Sequence, residues 1–68
     1  MSNSIKYWRE KKKISQRELA EEVGIWRPLL SNIENPSIPV DPDEEMALKI
    51  SRHLGVLITD ILNKPPSQ

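Results

Sequence analysis

Apolar positions along the chain recur at helical rather than alternating spacing, in five short runs separated by glycine, proline or polar turns. Ile5 and Trp8 lie at i and i+3, which predicts a short helix over Ser4 to Lys12 with Ser4 as its N-cap and Trp8 as a core anchor. Ile14 follows at the junction. Leu19, Ala20 and Val23 then form one stripe, with Arg17, Glu18, Glu21 and Glu22 on the opposite face. Ser15 with Glu18 three residues on is a capping-box spacing, so this second helix begins at Gln16. Gly24 is placed to end it in the left-handed conformation, where the absence of a Cβ removes the steric penalty. Ile25, Leu30 and Ile33 restart the pattern. Pro28 fits only if it falls in the first turn of that third helix, where amides have no intrahelical acceptor anyway.

Three prolines between Asn35 and Pro42 make that stretch a loop and end the third helix by Glu34 or Asn35. Asp41 with Glu44 repeats the capping-box spacing and Pro42 suits a first helical position, so a fourth helix is expected from there. Met46, Ala47, Ile50 and Leu54 line one of its faces, and Gly55 ends it. A brief apolar helix over Ile58 to Leu62 follows, and Pro65 and Pro66 close regular structure, leaving residues 63 to 68 as a frayed tail. The second and third helices, separated by a tight turn over residues 15 to 35, read as a helix-turn-helix within a single all-α domain spanning residues 1 to 68.

Size and composition narrow the chemistry. A chain of 68 residues buries only about 60% of its unfolded surface, so its stability is marginal and dimerisation would help. There is no cysteine and one histidine, which excludes disulfides and a thiolate metal site, and no cofactor is expected. His53, near the end of the fourth helix, is assigned no function. Neighbouring acids such as Glu21 with Glu22, or Glu44 with Glu45, point about 100 degrees apart on a helix and cannot flank one bond. With no phosphate loop and no nucleophile with its base, an enzyme is not expected. No apolar run approaches a membrane span and no leader pattern precedes the first helix, so a cytoplasmic protein is expected.

Net charge is zero, yet the distribution is uneven. Lys6, Arg9, Lys11, Lys12 and Lys13 face only Glu10 in the first fourteen residues, whereas Asp41, Asp43, Glu44 and Glu45 cluster further on. A basic end suits a polyanion, and it equally suits a solvated helix terminus whose lysines complement the dipole.

The order ISQRELAEEVGI, LSNIEN, ALKISRHLGV resembles the Cro/C1-type, or XRE, helix-turn-helix family of phage and bacterial repressors, over about residues 5 to 62. Ser15-Gln16, Leu19-Ala20, Gly24, Ile33-Glu34-Asn35 and Ala47 to Ile50 are the positions that carry the likeness. The resemblance implies a compact bundle of five short helices, like a lambda-repressor DNA-binding domain, that places its third helix in the major groove, usually as a dimer. It carries base reading onto Arg27, Pro28, Leu29, Ser31 and Asn32, and phosphate contact onto Gln16 and Asn35. Arg9, Lys11, Lys12 and Lys13 add phosphate attraction if the end of the first helix faces the duplex. Arg27 can donate twice to guanine and Asn32 can pair with adenine, each worth about 1 to 3 kcal/mol of discrimination.

Four positions depart from the family pattern. Trp26 stands where a capping Ser or Thr is usual, either as a buried staple or as a contact to the DNA backbone or a partner. Pro36 follows Asn35 in place of glycine, Lys13 replaces a frequent glycine in a left-handed turn, and the loop with Ile38 and Val40 is about two residues longer. The resemblance implies a transcriptional repressor acting on double-stranded DNA as a homodimer, through Val56 to Leu62 or the 36 to 42 loop. An antitoxin that also binds a toxin, and a protein-interaction module without DNA binding, are the alternatives.

Overall fold

The computed structural model describes residues 3–63, so Pro65, Pro66 and most of the expected frayed tail lie outside the described residues. Five helices follow in order: α1 (Ile5–Lys11), α2 (Gln16–Val23), α3 (Arg27–Glu34), α4 (Glu44–Leu54) and α5 (Ile58–Leu62). Among the described residues there is no strand. None of these helices is long enough to be stable alone, so tertiary burial supplies what nucleation costs. Each helix contributes at least one side chain with no exposure at all: Ile5, Leu19, Leu30, Ala47 with Ile50, and Ile61. Around them pack α2 against α3 and α4, α4 against α5, and α1 against α4 and α5. Trp8 is half-buried at the edge of this core, its ring edge-on to Tyr7 at 5.0 Å, and so flanks the core without filling it.

The stop signals act as the sequence implies. Gly24 (φ 80°) and Gly55 (φ 71°) both take the left-handed conformation that ends α2 and α4. Lys13 also takes it, at φ 59°, a strained choice for a side chain with a Cβ. Asn35 is extended, φ −87° and ψ 113°, as the following Pro36 requires, and α3 ends at Glu34.

Start signals need three corrections. Ser4 does not cap α1 through its side chain: Asn3 Oδ1 accepts the Ile5 N–H at 3.0 Å, while the buried Ser4 hydroxyl faces the Asp60, Ile61 and Asn63 carbonyls at the end of α5. The reason is tertiary, because those last carbonyls have no intrahelical donor and need one from elsewhere. Second, Ser15 Oγ accepts the Glu18 N–H at 3.0 Å, but the Glu18 carboxylate turns to His53 Nε2 at 3.5 Å instead of completing a capping box. Third, α4 starts two residues later than Asp41 and Pro42 suggest. Asp43 is its N-cap, with Oδ1 accepting the Met46 N–H at 2.8 Å, while Pro42 is buried and Val40 packs on the core.

Candidate nucleic-acid interface

Burial of Leu30 and Ile33 decides which side of α3 faces out. On that outer side Arg27, Pro28, Leu29, Ser31 and Asn32 are all exposed. The helix starts without a side-chain cap, because an indole has no acceptor for an amide proton, and Trp26 is 82% exposed. A buried staple is therefore ruled out for Trp26, whose ring stands in solvent one residue before Arg27.

Beside α3 lies an open cleft of about 570 Å³ between α1, the start of α2 and the end of α3, lined by residues that include Lys6, Gln16, Arg27, Ser31 and Asn35. Its floor is an ion pair. Arg9 donates through Nε to Glu34 Oε2 at 2.8 Å and through Nη2 to Oε1 at 3.0 Å, a two-pronged pair whose side chains are only 11% and 4% exposed. Arg9 Nη1 donates to the Ile14 carbonyl at 3.0 Å, which ties the α1–α2 junction to the same group. The hydrogen bond to Glu34 raises the Arg9 pKa above its ordinary value, against the lowering effect of burial. A raised pKa means that this stabilisation is complete below the ordinary guanidinium value and fades only as pH climbs past the raised one, so Arg9 introduces no pH dependence in the neutral range.

Gln16 extends the pair outward. Its Nε2 donates to Glu34 Oε1 at 3.1 Å, and its Oε1 accepts from Arg27 Nε at 3.3 Å. Glu34 can only accept and Arg27 can only donate, so this is the one amide orientation that avoids facing like with like.

The residues expected to contact phosphate thus separate into groups. Gln16 and Asn35 line the cleft, although Asn35 Oδ1 also accepts the Ser37 N–H at 2.9 Å and shapes the turn after α3. Arg9 turns its guanidinium inward to Glu34 and Ile14. Lys11, Lys12 and Lys13 are exposed around the end of α1, with Lys11 Nζ 5.7 Å from the centre of the Tyr7 ring. Besides Arg9 in its floor, α1 places Lys6 at the cleft, three positions before Arg9 on the same helix face, a spacing visible in the sequence. Glu34 also carries a sequence signal: it is an acid in the last turn of a helix, where the dipole disfavours negative charge unless a cation compensates.

The helix-turn-helix domain family matches residues 3–66. The chain belongs to the XRE-type helix-turn-helix family. A relative from Methanocaldococcus jannaschii, named as an uncharacterized HTH-type transcriptional regulator, is 36% identical over 61 residues, covering 90% of this chain and 89% of that protein. The XRE-type likeness thus takes in all five helices. Among the described residues no group of three His, Asp or Glu side chains is arranged to hold a metal ion, and no helix is long and apolar enough to cross a membrane.

Proposed function

We propose that this chain is a sequence-specific DNA-binding transcriptional regulator that represses by occupying a palindromic operator as a homodimer, with no catalytic step. The observation that carries the reading is the solvent-facing row of Arg27, Ser31 and Asn32 on α3, set beside Gln16 at the start of α2. Arg27 and Asn32 have the donor and acceptor patterns for guanine and adenine edges, and Pro28 and Leu29 can meet a thymine methyl group. Gln16, the first amides of α2 and Lys6 would grip phosphate and set register without reading sequence. Lys11, Lys12 and Lys13 would add general attraction. Two copies related by a two-fold axis would present their third helices about 34 Å apart, one turn of the duplex. The exposed Leu57, 69% accessible, and Leu62 make the α5 end the preferred pairing surface.

A protein partner, such as the toxin of a toxin–antitoxin pair, is the second reading, and the exposed Trp26 is what favours it. A fluorescence titration with the DNA upstream of its own gene, repeated across salt, tests the main one. Binding that prefers that duplex over a scrambled one, with log affinity falling linearly in log salt, is the expected result. Equal affinity for both duplexes, or none, overturns it.

A further inference from the structure

Gln16 touches both ends of α3. Its Oε1 meets Arg27, the first residue of that helix, and its Nε2 meets Glu34, the last. A guanidinium offers two edges from which a pair of donors can reach a base: Nε with one Nη, or the two Nη atoms together. With Nε given to Gln16, the first edge is occupied and the Nη pair remains.

We propose that Glu34 is a positioning residue for base reading: acting through Gln16, it decides which edge Arg27 presents to the major groove. The inference rests on the DNA-reading function proposed above. A carboxylate at 34 forces the Gln16 amide to turn its NH₂ inward and its carbonyl toward Arg27. The reverse orientation would set the carbonyl against Glu34 and the NH₂ against Arg27, losing both hydrogen bonds. Arg9 keeps the carboxylate in place, since two of its nitrogens hold both oxygens in a site that water barely reaches. A glutamine at 34 would donate or accept equally well, and the orientation of Gln16 would no longer be dictated. Glu34 is nearly buried at the floor of the cleft, so it acts without a base contact of its own.

Selection from a randomised duplex library by the full chain tests this, with helix content checked by circular dichroism. Arg27→Ala first identifies the base pair that Arg27 reads, as the one where preference disappears. Glu34→Gln is then expected to flatten preference at that same base pair by about tenfold, within the roughly 5- to 150-fold that one two-pronged contact provides. Preference elsewhere should stay as in the parent, because no other base-facing side chain is touched. Should Glu34→Gln fail to fold, Gln16→Met leaves the Arg9 pair intact and should flatten the same base pair, with the salt slope unchanged because the amide it removes carries no charge. Preference retained at that base pair in whichever variant folds overturns the inference alone. A parent chain that selects no motif overturns the functional reading and the inference together.

Discussion

Arg9–Glu34 and Arg17–Glu21 join the same two residue types, yet they belong to different physics. The first is long-range in sequence, two-pronged, 2.8 Å at its shorter contact and nearly dry. The second is an i,i+4 pair on the outer face of α2, 3.6 Å apart, with side chains 76% and 70% exposed. Water and salt screen the exposed pair, so its worth is a few tenths of a kcal/mol at most. The buried pair has surrendered its hydration, and its value lies in the damage done when one partner is removed. The contrast also divides the protein by task. Arg17–Glu21 decorates a helix that would form without it, whereas Arg9–Glu34 fixes α1, the α1–α2 junction and the end of α3 around the cleft.

Four substitutions or conditions probe that contrast, in falling order of effect. Glu34→Ala strands the Arg9 guanidinium and should lower stability by about 3 to 5 kcal/mol, seen as a large drop in the urea midpoint. A loss below about 1 kcal/mol would mean that water reaches Arg9 freely. Replacing both partners, Arg9→Met with Glu34→Leu, should recover most or all of that loss in the same urea titration, since no charge remains to be desolvated. Failure to recover would assign the pair a net stabilising role. Trp26→Ser gives α3 the side-chain acceptor it lacks at its start and should add about 1 kcal/mol, read as a higher thermal midpoint. If the midpoint falls instead, the indole makes a contact that its exposure does not reveal. Arg17→Ala should change stability by about 0.5 kcal/mol or less, and raising the salt concentration should erase even that. A clear loss that persists in high salt would show that exposure understates this pair.

The two starts of the helix-turn-helix follow the same division. At α2 the sequence suffices, because Ser15 and the amide it caps are three residues apart and local geometry closes the bond. At α3 the local rule is broken by Trp26, and the helix is held by the burial of Leu30 and Ile33 and by Glu34 at its far end. A motif whose scaffold follows local rules while its presented surface departs from them is expected where that surface carries function.

From sequence alone, helical spacing determined the five helices, their order and the inward faces of α2, α3 and α4, because side-chain periodicity is a property of neighbouring residues. Gly24, Gly55 and Pro36 determined the stops of α2, α4 and α3 for the same reason, as each acts on its own backbone or on the residue beside it. Only the tertiary structure decided that Ser4 serves the carbonyls of α5, that Trp26 stands in solvent, and that Arg9 turns inward. Each depends on which groups far apart in the chain must satisfy one another once water is excluded, and no spacing rule encodes that. The chain from Arg9 through Glu34 and Gln16 to Arg27 is of this kind, since its members come from three helices and meet only after all three have packed.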